Sequence, residues 1–492
     1  MSWLASIFGG KSGHPRGKGH PVKIFLTNTL SGNKELFTPQ KPGLVLMYSC
    51  GPTVYNRAHI GNLRPYIFSD TLARTLAAAG YRVRRITNIT DVGHLTDDGD
   101  EGQDKMNMGA AREKTTPGEI AERYTRMFID DLGELGVDTD DIRFPRATEY
   151  IREQITLATT LEEKGFAYRT RDGLYFDTTR FPGYGALGNL AGVSVKESGP
   201  EHTQHRVVVA PGKRHPNDFA LWRIAKPGDL QQWDSLWGRG NPGWHIECSA
   251  MSRALLGPEI DIHTGGEDLA MIHHNNEIAQ SEAASGRRFV HYWLHNAFLT
   301  MQGEKVSKSL GNVVYLSDIV ERDFHPLALR YFFLQAHYRT PLSFSFGALE
   351  GAANALERLW RQAREIREES GGETVPSEAR EHFLALMRDD LGTPQSLAVL
   401  WETLRSEEYG PEEKWGLIED AEAHLGLSLL DPPTRELSGE EVPREVQELF
   451  ERREVAREQR DFALADRLRE DILRSGYRVD DGPLGSVLTR NS

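Results

Sequence analysis

The side chains best suited to soft-metal chemistry in this 492-residue chain are its two cysteines, Cys50 and Cys248. They are too far apart in sequence to be paired by spacing, so a metal site needs further ligands from elsewhere. His273 and Glu277 supply them. They stand at i and i+4 in a stretch that reads as helix, which puts both on one face. Two thiolates, an imidazole and a carboxylate suit tetrahedral zinc. His274 is the rival on that helix, but its i+4 neighbour is Ile278, which binds no metal. The competing account is two buried structural thiols and an ordinary helix surface.

Two further motifs suit phosphate. His59-Ile-Gly-Asn62 stands between a strand and a helix. A helix start offers unpaired N–H groups and the positive end of the dipole. Gly61 lets a nucleotide approach the backbone, and His59 and Asn62 can donate to phosphate oxygens. Lys305-Val-Ser-Lys-Ser309 places Lys305 and Lys308 on one loop, where two ammonium groups can clamp a triphosphate. Taken singly, each motif is also what an ordinary turn looks like. Their order along the chain gives them weight.

These residues must be held by a scaffold. Residues 44–47 are a short apolar run that reads as a buried strand. From about residue 60 to 79 the pattern is helical, with Phe68, Leu72 and Leu76 on one face and Gly80 placed to end it. Residues 81–90 are β-rich. Strand, turn, helix, strand opens a doubly wound, parallel, Rossmann-type α/β sheet. An insertion of mixed elements runs from about 115 to 240. The second half of the sheet follows, with strands at 259–263 and 289–294 and a helix through 273–285. The catalytic domain is expected over 22–330, a helical bundle over 331–430, and a small C-terminal domain over 436–492 beyond a Pro/Gly-rich linker. Residues 444–475 read as two amphipathic helices, with Val446, Leu449 and Phe450 apolar on the first and Phe462, Ala465, Leu468 and Ile472 on the second. A short glycine-rich end follows. Residues 1–21 read as a disordered tail.

Composition narrows the class. A net charge of −14 excludes a dominant basic patch but not a nucleic-acid partner, because phosphate contacts depend on local charge. Two cysteines make no disulfide framework, which suits a reducing, cytoplasmic setting. No apolar run approaches the roughly 20 residues of a membrane span, and the start is too short for a signal peptide.

In order along the chain, Tyr48-Ser-Cys-Gly-Pro-Thr-Val-Tyr55, Asn88-Ile-Thr-Asp91, Gly243-Trp-His-Ile-Glu-Cys248, Asp261-Ile-His263, His273–Gln280 and the Lys305–Ser309 loop resemble cysteinyl-tRNA synthetases. The phosphate motifs resemble the HIGH and KMSKS signatures of class I aminoacyl-tRNA synthetases, with Asn62 for the last His and Val306 for Met. Other departures are Asn241 where Arg is frequent, an acidic stretch at 97–104 and Leu488 where Trp is frequent.

The resemblance implies a ligase that converts L-cysteine and ATP, with Mg2+, to cysteinyl-adenylate and then loads tRNA-Cys. It implies catalytic and ATP-binding roles for His59, Gly61, Asn62, Lys305 and Lys308. Cys50, Thr90, Trp244 and His263 would line the cysteine pocket, and one Zn2+ would bind at Cys50, Cys248, His273 and Glu277. Arg457, Asp466 and Asp481 match positions that contact the anticodon, beside Arg452, Arg453, Arg460, Arg467 and Arg469 on the same two helices. A cytoplasmic monomer with no membrane partner is expected. The alternatives are a cysteine ligase acting on a small amine, which would not need residues 436–492, and a non-catalytic zinc-containing tRNA-binding protein.

Overall fold

The computed structural model describes residues 22–93, 104–187, 212–301, 304–305, 313–433, 442–459, 461–482 and 485–490. The tail at 1–21, most of the acidic stretch, Lys308 and part of the linker lie outside them. The chain divides into two compact units, Met1–Asp431 and Pro432–Ser492.

The first unit is built on five parallel strands: β1 (Leu44–Ser49), β2 (Arg82–Thr87), β3 (Ile142–Arg143), β4 (Ile260–Gly266) and β5 (Val290–Asn296). Their order across the sheet is β5-β4-β1-β2-β3. The strand order reverses between β1 and β4, so the crevice for a ligand opens beyond their carboxyl ends. β1 and β4 are almost wholly buried; β1 reads as an apolar run for that reason, while β4 carries the polar Asp261 and His263 into the interior.

Helix α1 (Ile60–Ala78) crosses from β1 to β2. Phe68, Leu72 and Leu76 pack on Val45 and Met47 of β1 and Ile262 of β4. Gly80 follows in the left-handed region, φ 91°, a conformation that costs glycine least. Between β3 and β4 in the chain lies a four-stranded antiparallel sheet made of Ala167–Arg169, Gly173–Phe176, Phe219–Ile224 and Gly240–Pro242. Its apolar side and helix Ile151–Glu163 share a core with α2 (Trp244–Leu256) and α3 (Asn275–Ser285).

Helix α4 (Pro326–Leu334) leads into α5 (Phe346–Ser370), α6 (Glu378–Arg388), α7 (Thr393–Arg405) and α8 (Pro411–Leu425). One continuous core joins them to the start of α1, through residues such as Leu63, Leu329, Leu356, Phe383 and Leu417. A polar knot ties the same elements. Asp70 of α1 accepts from Arg74, Arg85 of β2 and Arg330 of α4 at 2.7, 3.1 and 2.7 Å. Arg330 is fully buried, and it also donates to the carbonyls of Leu425 at 2.6 Å and Leu135 at 3.1 Å.

In the second unit α9 (Arg444–Glu458) and α10 (Phe462–Arg474) precede a hairpin of β6 (Tyr477–Gly482) and β7 (Gly485–Arg490). Val446, Ile472, Tyr477 and Val479 form its core, with Leu449, Phe450 and Leu488 against it. The hairpin was not apparent in a glycine-rich tail. Phe462 is not a core residue: it is 62% exposed, because it opens α10 directly after its cap, Asp461.

Candidate active site

β1 delivers Cys50 to the crevice one residue past its end. The peptide there is held tightly: the Gly51 N–H donates to Asn88 Oδ1 at 2.8 Å, and the Cys50 N–H to the Thr264 carbonyl at 3.2 Å. A Cβ on Gly51 would lie 1.4 Å from the Asn88 carbonyl oxygen, so no larger residue fits. Cys248 comes from the second turn of α2, whose start is set by Gly243. Trp244, one turn earlier on the same face, stands 4.6 Å from the His273 ring.

Cys50, Cys248, His273 and Glu277 converge, all buried, with ligand atoms within 4.8 Å of one another. The two sulfurs are 4.0 Å apart, Cys50 Sγ is 3.6 Å from Glu277 Oε1, and His273 Nε2 is 3.1 Å from that same oxygen. These separations are what the ligand atoms of a tetrahedral zinc need, with Zn–S at about 2.3 Å and Zn–N at about 2.0 Å. The donor set fits zinc by its chemistry as well. Hydrogen bonding from Cys50 draws the Cys248 thiol down to about 6 against its burial, with His273 assisting. Burial would raise the Glu277 carboxyl, yet His263 and His273 hold it at about 2. So the cluster favours a thiolate and a carboxylate.

His274 also lies beside this cluster, although its i+4 neighbour Ile278 binds no metal. The segment before α3 is not a continuous α-helix: Ala270–His274 form a π turn. That turn aims consecutive histidines at the site. His274 Nε2 lies 3.3 Å from Cys50 Sγ and 3.9 Å from Glu277 Oε1. A second candidate set, Cys50, His263, His274 and Glu277, therefore overlaps the first. Sequence reasoning also missed the groups that fix these rings. His245 Nδ1 faces His273 Nδ1 at 2.9 Å, and His274 Nδ1 faces His295 Nε2 at 2.7 Å. The repeated histidines were the available signal, but nothing local said which would meet.

Of the expected cysteine-pocket residues, His263 is fully buried, stacked on Trp293 and 3.1 Å from Glu277 Oε2. Thr90 is buried beside Asn88, whose amide donates to its hydroxyl at 3.1 Å. Cys50 and Trp244 also belong to this neighbourhood.

The His59-Ile-Gly-Asn62 turn opens α1 as a reciprocal cap. The Asn62 N–H donates to His59 Nδ1, and the His59 N–H to Asn62 Oδ1, each at 3.2 Å. With Nδ1 accepting, the neutral imidazole carries its proton on Nε2. Lys305 lies in the short strand Glu304–Lys305, and Lys308 falls outside the described residues. In the second unit Asp466 is exposed, Arg457 is half-buried on α9, and Asp481 lies on β6. Arg453 is not on the exposed basic face: it is buried and donates to Glu454 and Ser486 at 2.7 and 3.0 Å.

Comparison with known proteins gives the family. A family model described as the tRNA synthetases class I (C) catalytic domain matches residues 36–354. Among solved structures, the chain resembles Mycobacterium tuberculosis methionyl-tRNA synthetase bound by methionyl-adenylate (15% identity, 81% of this chain and 96% of that one, TM-score 0.51). It also resembles a LeuRS of Agrobacterium radiobacter K84 in complex with tRNA (13% identity, 83% and 87%, TM-score 0.54). At these identities the likeness establishes the fold, a class I synthetase architecture. A cysteine–tRNA ligase of Chlorobium chlorochromatii is 42% identical over 95% of this chain and 99% of its own length. One from Burkholderia lata is 45% identical over 95% and 97%. The chain belongs to the cysteine–tRNA ligase family of class I tRNA synthetases. No described helix is long and apolar enough to cross a membrane.

Proposed function

We propose that the chain activates L-cysteine with ATP and transfers the cysteinyl group from the adenylate to the 3' end of tRNA-Cys. The observation that carries this is the buried convergence of Cys50, Cys248, His273 and Glu277 at the switch point of the sheet. When bound there, a zinc ion supplies a soft acceptor for the substrate thiolate, which separates cysteine from serine where size cannot.

The chain's own groups do the rest by positioning and charge. The cysteine carboxylate attacks the α-phosphate of ATP, and pyrophosphate leaves. The start of α1 receives the phosphates, with His59 donating from Nε2 and Asn62 from its amide, while Gly61 leaves the backbone open to approach. Lys305 and Lys308 answer the negative charge that grows at the α-phosphate. Thr90, Trp244 and His263 shape the pocket around the amino acid. In the second unit, Arg457, Asp466 and Asp481 read anticodon bases, which in a single-stranded loop expose their edges. On this reading the protein works in the cytoplasm, with ATP entering as its magnesium complex.

The test is aminoacylation of tRNA-Cys with labelled cysteine. Charging of tRNA-Cys and not of tRNA-Ser is expected. Cysteine-dependent ATP consumption with transfer only to a small amine would replace this reading with the small-acceptor ligase.

A further inference from the structure

Three buried carboxylates stand around the crevice on the side of Cys248, and two of them are satisfied. Glu277 meets His263 and His273. Asp91 accepts from the Thr148 N–H at 2.9 Å and its hydroxyl at 2.6 Å. The third, Glu247, is fully buried, and among the described residues neither of its oxygens has a hydrogen-bond partner in good geometry. The Thr90 hydroxyl is its polar neighbour, but the pair does not meet ordinary hydrogen-bond geometry. A buried carboxylate left without donors costs several kcal/mol, so a native chain keeps one where a donor arrives from elsewhere.

The position of Glu247 says what arrives. It is in the first turn of α2, adjacent in sequence to Cys248 and three residues after Trp244, so one helical turn carries all three. Thr90 brings in the other wall of the cysteine pocket. The His273 ring near it is already taken up, meeting Glu277 through Nε2 and His245 through Nδ1. Cysteine bears its ammonium two carbons from its sulfur, so a thiolate held at the metal ligands brings that ammonium to the same turn of α2. An ammonium has three donors and no acceptor, which complements an acceptor-only carboxylate. Its charge also offsets that of a site already rich in thiolate and carboxylate.

We propose that Glu247 is the receptor for the α-ammonium of the substrate, a specificity residue that makes the site select an α-amino thiol rather than any thiol. This rests on the cysteine-ligase reading above.

The experiment measures binding of three thiols to the zinc-loaded protein by calorimetry. L-cysteine has thiol, ammonium and carboxylate. Cysteamine lacks only the carboxylate, and 3-mercaptopropionate lacks only the ammonium. In the wild type, 3-mercaptopropionate should bind on the order of 10²-fold more weakly than cysteine, the loss expected when a buried charged acceptor is left unpaired. Glu247→Gln keeps the shape and removes the charge. It should weaken cysteine and cysteamine by a similar factor and leave 3-mercaptopropionate and the zinc content nearly unchanged. Equal binding of cysteine and 3-mercaptopropionate to the wild type would overturn the proposal, whether or not the variant folds. Equal weakening of all three thiols in Glu247→Gln would overturn it too, since that is a structural effect. If the zinc-loaded wild type bound no cysteine, the cysteine-ligase reading itself would fall, and this proposal with it.

Discussion

Replacing Asp70 by asparagine should cost the first unit about 3–5 kcal/mol, the usual penalty for leaving a buried charge without its partner. The carboxylate is 1% exposed and the Arg330 side chain 0%. Its two oxygens together serve Arg330, Arg74 and Arg85. Asparagine keeps one acceptor and turns an amide N–H2 toward a guanidinium, so donor faces donor and Arg330 keeps an uncompensated charge. Unfolding entropy near 2.1 cal/mol/K per residue over roughly 400 residues is on the order of 0.8 kcal/mol/K, so the melting temperature should fall by about 4–6 °C. Scanning fluorimetry at a fixed heating rate reads this. Arg126→Ala is the control, because its pair with Glu122 is exposed and worth under about 1 kcal/mol. The pH dependence has a definite sign. Burial would raise the Asp70 carboxyl, but Arg330, Arg74 and Arg85 hold it well below the usual carboxylate range. A depressed folded pKa contributes stability above the unfolded value of about 4 and loses it as pH falls toward the folded value. The gap between wild type and Asp70→Asn should therefore be constant from neutral pH down to about 5 and shrink below 4. A variant that melts within about 1 °C of the wild type at pH 7 would refute the knot as a stabilising element.

Three further outcomes are expected. Gly51→Ala must push Cys50 or Asn88 aside, because its Cβ would meet the Asn88 carbonyl oxygen at 1.4 Å. A displacement of about 1 Å costs on the order of 10²-fold in rate, so pyrophosphate exchange should fall at least that far, and unchanged exchange would mean the turn is not fixed as described. Lys308→Ala should lower kcat for adenylate formation by roughly 10²-fold with a smaller change in the KM for ATP, since the charge it answers develops in the transition state. A change in KM alone would make it a ground-state contact. Truncation after residue 431 removes the second unit at its boundary. It should leave cysteine-dependent pyrophosphate exchange intact while kcat/KM for tRNA-Cys drops by orders of magnitude, and equal charging would remove the anticodon role.

Much of this molecule was legible because its signals are local. The apolar run of β1, the i, i+4 face of α1 and Gly80 specify strand, helix and stop without reference to anything distant. The pairing of Cys50 with Cys248 was legible only through chemistry, since 198 positions separate them. The approach of His274 to Cys50 was not legible, because the i, i+4 rule assumes an unbroken α-helix and no residue type marks the π turn at Ala270–His274. The Gly51 contact with Asn88, the His245 contact with His273 and the approach of Arg85 and Arg330 to Asp70 are tertiary, and no spacing in the sequence encodes them, whereas Arg74 stands at i+4 from Asp70 on α1. Arg453 and Phe462 show the same limit on α9 and α10. Arg453 is buried where it meets Ser486 of the hairpin, and Phe462 is exposed because it opens α10.

The central claim is that a zinc ion at Cys50, Cys248, His273 and Glu277 selects cysteine for activation. ATP–pyrophosphate exchange with cysteine and with serine, measured on the zinc-loaded protein, the chelated protein and Cys248→Ser with metal content determined alongside, tests it most directly. About one zinc per chain, exchange with cysteine but not serine, and loss of both zinc and exchange on chelation and in the variant are expected. Full cysteine-dependent exchange in a chain shown to be free of metal would contradict it.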